Sequence, residues 1–193
     1  MRRIRVVALD DGALPHKPKQ NHRHALLVAV LFGNLRILDV RTGSLSIDGT
    51  DANEAVARLV KSIRSDFDAV MLPSISLGGF NLVNLPVIAH DLHKPVIAVT
   101  RERPDNNAVR RALRDHFTDW RERWKTVVAA GPNYSYKPMS GEPSLYYEVK
   151  GASPSFARRL IKASAAISRL PEPMRVARIL ARGLSVQATT TVA

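Results

Sequence analysis

The chain begins with a short apolar run, Ile4 to Leu9 (IRVVAL), cut off by Asp10-Asp11-Gly12. β-Branched residues that stop at a turn sequence predict a buried strand. Leu14 to His24 (LPHKPKQNHRH) is polar and basic and reads as a loop. Ala25 to Phe32 (ALLVAVLF) predicts a second strand, Gly33-Asn34 a tight turn, and Leu35 to Val40 an antiparallel return, with Ser44 to Ile47 as a short third piece. The period then changes. Asp51 is placed to cap a helix along which Ala55, Val56, Leu59, Val60 and Ile63 recur at helical spacing. Phe67 to Leu72 (FDAVML) and Pro95 to Thr100 (PVIAVT) are almost continuously apolar, as strands covered on both faces are. Between them lie a Gly-containing loop, Pro73 to Asn81, and a helix from Leu82 to Leu92.

Two helices with basic outer faces, Asn106 to His116 and Thr118 to Ala130, come next. Tyr134 to Pro143 reads as a loop and Leu145 to Val149 as an edge strand. Ser153 caps a helix with Pro154 at its first position, running to about Arg169. Pro171-Glu172-Pro173 opens a last helix through Leu184, and the tail, SVQATTTVA, is expected to fray. The expected organisation is a single domain over residues 1–185 with a frayed tail at 186–193. Its class is α/β, an antiparallel meander followed by parallel strands in one mixed sheet flanked by helices.

Composition sharpens this picture in three places. A 45% apolar share supports a packed core and excludes a disordered chain. The absence of cysteine excludes disulfides and thiolate metal sites and fits a reducing compartment. The first apolar run is too short for a secretory signal, and no stretch approaches the ~18 apolar residues of a membrane span. A soluble, cytoplasmic protein without a membrane partner is therefore expected. The net charge of +12, with a pI near 10.7, favours an anionic partner, because each phosphate contact releases counterions. Nucleic acid, DNA or RNA, is the expected partner; a small phosphorylated ligand and a generally basic surface are the alternatives. A homo-oligomer leaves no readable mark.

Several blocks carry a family likeness. They are ALDDG at Ala8 to Gly12, IDGTDAN at Ile47 to Asn53, GGFNLVNLPVI at Gly78 to Ile88, PVIAVTRERPD at Pro95 to Asp105, ALRDHFTDWRER at Ala112 to Arg123, and the closing LPEPMRVARILARGL. Together they resemble an archaeal family of unknown function that is similar in fold to endonuclease V. The resemblance implies a ribonuclease H-like sheet and an ancestral magnesium- or manganese-dependent phosphodiesterase site. Such a site needs several carboxylates converging on ions roughly 3.5–4 Å apart. The fold places its first ligand at the end of the first strand, where Asp10 and Asp11 stand. Successive strand residues face opposite sides, so one of the pair reaches the site. The resemblance favours Asp10, with Asp11 as the alternative and a hydrogen-bonded turn as the bland reading of both. Relatives commonly show Asp-Gly after the FDAVML strand, whereas this chain has Pro73-Ser74, neither a strong magnesium ligand. The glutamate that follows an arginine in endonuclease V is not found. Asp48 and Asp51 are the nearest acidic metal candidates, against a turn residue and a helix cap. Asn84 stands where relatives often carry a further aspartate. The expectation is a nucleic-acid-binding protein with weak or lost metal-dependent phosphodiester hydrolysis. The rivals are a non-catalytic structural or regulatory module binding a protein or RNA assembly, and a nuclease with Asp48 or Asp51 brought to Asp10.

Further candidates follow from charge and turn chemistry. Gly78, Gly79 and Asn81 precede a helix and form a candidate phosphate loop, with close packing as the alternative. Phe80 is a candidate for base stacking or for the core. Lys17, Lys19 and Arg23, with His16, His22 and His24, form a basic loop suited to a phosphate backbone. Arg101, Arg103, Arg110, Arg111 and Arg114 make the densest basic group, beside the end of the last parallel strand, where α/β sheets bind ligands. Arg121, Arg123 and Lys125 extend it. Trp120 and Trp124 are expected to pack together in the core, His90 and His93 to lie on the surface, and His116 is a candidate acid–base group.

Overall fold

A seven-stranded mixed sheet runs through the computed structural model, which describes residues 4–14 and 24–190. β1 (Arg5–Asp10), β2 (His24–Gly33) and β3 (Arg36–Ser46) form the antiparallel meander. α1 (Ala52–Lys61) leads to β4 (Ala69–Leu72), which pairs parallel with β1. A small hairpin, β5 (Ser76–Leu77) and β6 (Asn81–Leu82), precedes α2 (Leu85–Leu92) and β7 (Val96–Thr100), the latter parallel to β4. After α3 (Asn106–His116) and α4 (Trp120–Ala129) come β8 (Tyr134–Tyr136) and β9 (Leu145–Lys150), then α5 (Pro154–Ser164) and α6 (Glu172–Thr190). The sheet order is β3-β2-β1-β4-β7-β9-β8. Among the described residues no helix is long and apolar enough to cross a membrane.

Strand alternation sorts the core into two layers. Val7, Leu9, Leu27 and Leu31 pack with Val56, Leu59 and Val60 of α1 and Ile88 of α2. Val6, Ala8, Val28 and Val30 pack on the other face with Leu160 and Ile161 of α5 and Met174, Ala177 and Ala181 of α6. Burying one such aliphatic side chain contributes about 1.5–3 kcal/mol, so both faces are firmly covered. The parallel strands β1, β4 and β7 end together, and their carboxyl ends carry the candidate site.

Several expected boundaries differ. The pieces expected at Leu35 to Val40 and Ser44 to Ile47 merge into one strand, Arg36–Ser46, because Arg41 to Gly43 lies exposed on an edge, where polarity does not break the ladder with β2. Leu145 to Val149 is no edge strand: Tyr134–Tyr136, read as loop, pairs outside it. The second helix starts at Leu85 rather than Leu82, because Leu82 is in β6 and Asn84 caps the helix, accepting from the Val87 N–H at 3.3 Å. Ser153 caps α5 as expected, accepting from the Phe156 N–H at 3.2 Å, but the helix ends at Ser164, short of Arg169. α6 continues past Leu184 to Thr190, into the expected tail.

Candidate functional site

Asp10 is the last residue of β1 and faces α6, on the side of Val6 and Ala8. With Pro73, Thr100, Arg101, Met174 and Arg178 it lines a cavity of about 170 Å³ at the strand ends. The Gly12 N–H donates to its Oδ1 at 2.9 Å. Burial pushes its carboxyl up; the Gly12 hydrogen bond opposes this, Asp11 adds to it, and Arg178 and Arg182 pull it back. Gly12 itself holds φ +70°, and a Cβ there would collide with the Ala181 carbonyl and the Ser185 hydroxyl. That close approach lets α6 lie over the turn and bring its arginines to Asp10.

Asp11 turns the other way. Its Oδ2 accepts from the Gly78 N–H at 2.5 Å, and burial pushes this carboxyl up against the pull of that bond. Asp48 has left-handed backbone (φ 54°), donates its N–H to the Gly78 carbonyl at 2.8 Å and accepts from the Phe80 N–H at 2.8 Å. Asp51 accepts from the Ser46 N–H (3.1 Å), the Ser46 hydroxyl (3.1 Å) and Asn81 Nδ2 (2.6 Å). Burial alone would raise its carboxyl, but these bonds outweigh it and hold the group below the usual carboxylate range. Its side chain does not cap α1; fully buried Asn81 does, accepting from the Ala52 N–H at 2.9 Å.

These bonds correct two expectations. The N–H groups of Gly78 and Phe80 are occupied by Asp11 and Asp48, the Ser76 hydroxyl donates to the Gly79 carbonyl, and Asn81 is buried. Gly78, Gly79 and Asn81 thus form a packed structural loop rather than a phosphate cradle; a Cβ at Gly79 would strike Asp48 Oδ1. Nor do Asp48 and Asp51 join Asp10. Among the described residues no group of three or more His, Cys, Asp or Glu side chains is placed to hold a metal ion. Asp10 shares its cavity with guanidinium Arg178 and with Pro73, while Asp11, Asp48 and Asp51 are engaged by backbone donors. This donor set does not fit a two-metal centre.

Arg123 is a structural residue that the sequence placed among surface cations. It is 9% exposed and donates to four oxygens: Asp119 Oδ1 (2.9 Å) and the carbonyls of Gly49 (2.9 Å), Phe80 (2.7 Å) and Asp48 (2.9 Å). Its guanidinium also lies 4.3 Å from the Phe117 ring centroid. The signal available in the sequence was its i,i+4 relation to Asp119.

The other predicted cations divide. Arg101 lines the Asp10 cavity, while Arg103, Arg110, Arg111 and Arg114 are exposed on α3 and the segment before it. Arg114 pairs with Asp115 at 3.3 Å. Trp120 and Trp124 are half-exposed, not core: Arg121 lies 4.8 Å over Trp120 and Arg110 5.5 Å over Trp124. Phe80 is half-buried, edge-on to Phe117 at 5.5 Å. His116, His90 and His93 are exposed. His16, Lys17, Lys19, His22 and Arg23 lie outside the described residues. Arg178 and Arg182, which lie in the closing LPEPMRVARILARGL block and were not singled out from the sequence, are the cations that pull the Asp10 carboxyl down.

The endonuclease dU family model matches residues 2–185. The chain belongs to the endonuclease dU family. A UPF0215 protein of Thermococcus gammatolerans is 34% identical over 189 residues, covering 97% of this chain and 95% of its own length. The crystal structure of a protein of unknown function from Archaeoglobus fulgidus superposes with a TM-score of 0.80 at 28% identity, covering 94% of this chain and 98% of that one. Endonuclease V from Bacillus subtilis gives 0.62 at 10% identity, covering 99% of this chain and 84% of its own. Ciona intestinalis endonuclease V, solved with an inosine-containing 24mer DNA, gives 0.57 at 10% identity, covering 100% and 88%. At such identities the endonucleases V share the fold, a ribonuclease H-like mixed sheet flanked by helices.

Proposed function

We propose that this endonuclease dU family member binds nucleic acid across the carboxyl ends of β1, β4 and β7, with divalent-metal-dependent phosphodiester hydrolysis weak or lost. The observation that carries this reading is the Asp10 cavity, where one carboxylate faces Arg178 and Arg101 and Pro73 occupies the end of β4. Guanidinium forks match phosphate oxygens, and Asp10 alone contributes too little negative charge to hold a pair of cations. The net charge of +12 supplies the longer-range attraction. The DNA bound by the Ciona protein and the family's description make single strands containing deoxyuridine or inosine the first polymers to try.

The test is anisotropy with labelled single-stranded and duplex DNA and RNA over a series of salt concentrations. Arg101→Ala/Arg178→Ala is expected to weaken binding about tenfold and lower the salt slope by roughly two, one per phosphate contact. Binding and slope unchanged in that variant would overturn the assignment of the interface. In parallel, magnesium or manganese is added and cleavage followed. Slow or absent cutting is expected, whereas rapid cutting abolished by Asp10→Asn would overturn the reading of a weakened site.

A further inference from the structure

The sheet ends in two unlike edges. β8, at one end, is three residues long, and so short an edge offers little to pair with. β3, at the other, runs for eleven residues, and among the described residues no strand lies outside it. An edge strand presents a row of unpaired N–H and C=O groups, which natural edges commonly blunt with lysine or proline. The β3 sequence, RILDVRTGSLS, has neither. Its one irregularity is a bulge at Leu38, where Leu31 pairs with Asp39 and Phe32 with Ile37; from Asp39 to Ser46 the ladder is regular. Ile37 and Leu38 are each 49% exposed, so the edge also shows apolar surface.

Charge decides what such an edge can accept. Asp39 and Arg41 stand two residues apart on one face of the strand, joined by an ion pair of 2.9 Å between Arg41 Nη2 and Asp39 Oδ2. Val40, between them, points to the opposite face and packs against the layer covered by α5 and α6. When two copies of a strand pair antiparallel about a two-fold axis, one residue lies opposite its own copy and opposed side chains share a face. Centring on Asp39 or on Arg41 would oppose like charges, and centring on Leu38 would set Asp39 against Ile37. Centring on Val40 sets Asp39 against the partner's Arg41 and Arg41 against the partner's Asp39. Of the two-fold registers, it alone opposes Asp39 to an arginine. The two Val40 side chains then meet on the other face, and Leu38 meets the partner's Thr42.

We propose that this protein forms a two-fold dimer through antiparallel pairing of β3 with a second copy of β3, centred on Val40, which joins the two sheets into one. General repulsion between chains of net charge +12 is screened beyond about 8 Å at physiological salt, whereas the opposed Asp39–Arg41 pairs act at contact. The two-fold reverses strand direction, so the two Asp10 cavities open toward opposite ends of the joined sheet.

Sedimentation equilibrium of the full-length chain at about 0.15 M salt, up to about 100 µM protein, is expected to show a monomer–dimer equilibrium in the micromolar range, as an interface of modest size gives. Asp39→Arg and Arg41→Asp should each weaken association at least about tenfold, and Asp39→Arg/Arg41→Asp should restore it to within about threefold of wild type. A role confined to the intrachain ion pair would leave association unchanged in all three. The chain has no cysteine, so Val40→Cys introduces a single thiol. Directly opposed residues hold their Cβ atoms about 4.5–5.5 Å apart, close to disulfide reach, so oxidation should cross-link dimers of Val40→Cys and not those of Ser44→Cys. Urea unfolding midpoints check that each variant is folded. A wild type that stays monomeric at the highest concentration, single reversals that leave association unchanged, a double reversal no better than the singles, or cross-linking at Ser44 rather than at Val40 would each overturn the proposal.

Discussion

The two faces of the sheet end on the same strands and close in opposite ways. On the α1/α2 side, Asp11, Asp48, Asp51, Asn81 and Arg123 form a knot whose polar atoms are spent on backbone partners. On the α6 side, Asp10 has the Gly12 N–H and the field of two arginines, and it opens into a cavity. Neighbouring aspartates thus have different work because a strand alternates its faces. An acidic residue in a motif is informative only once its partners are known: backbone donors mark architecture, whereas a carboxylate beside cations in a cavity is left open on one side.

The sharpest way to break this comparison is to cut the knot. Arg123→Leu should destabilise the fold by about 3 kcal/mol or more, by leaving three carbonyls and Asp119 without their donor, read from urea unfolding. A loss under 1 kcal/mol would place Arg123 back among the surface cations. On the α6 side, Gly12→Ala should cost about 2 kcal/mol and weaken polymer binding together with stability, since the new Cβ pushes α6 and Arg178 away from Asp10. Asp11→Ala leaves the Gly78 N–H without its acceptor and should cost about 1–3 kcal/mol with polymer binding intact. Asp10→Asn should reverse that pattern, with little change in the unfolding midpoint and tighter polymer binding at low salt. The smallest effect is on pH dependence. Burial raises the folded pKa of Glu148, so its contribution is full below the ordinary carboxylate range and is lost as pH rises through the raised value. Glu148→Gln should therefore flatten the decline in stability as pH rises above the ordinary carboxylate range, measured by thermal unfolding at several pH values.

How much of this was legible follows from where the signal is local. β1, β4 and β7 announced themselves as apolar runs because both their faces are covered. β8 did not, since Tyr134–Tyr136 is three residues long, with its middle residue exposed. Missing it made β9 look like an edge; in the fold both edges of β9 are paired, with β7 and β8, and the Glu148 carboxyl is buried. Asp10 was readable from its place at a strand end. Its arginine partners were not, because Arg178 and Arg182 reach it only through the packing of α6 on β1. Trp120 and Trp124 show the opposite error, in which helical spacing suggested a core pair and the arginines over each ring decide otherwise.

The closing of α6 over Gly12 also sets a timetable. The cavity needs Asp10 from the first strand and Arg178 from the last helix, joined across nearly the whole sequence. A nascent chain emerging amino end first exhibits the aspartate long before its cationic counterpart is made. The pocket is therefore completed only after α6 has been made and has packed on β1, and until then Asp10 stands without its arginines.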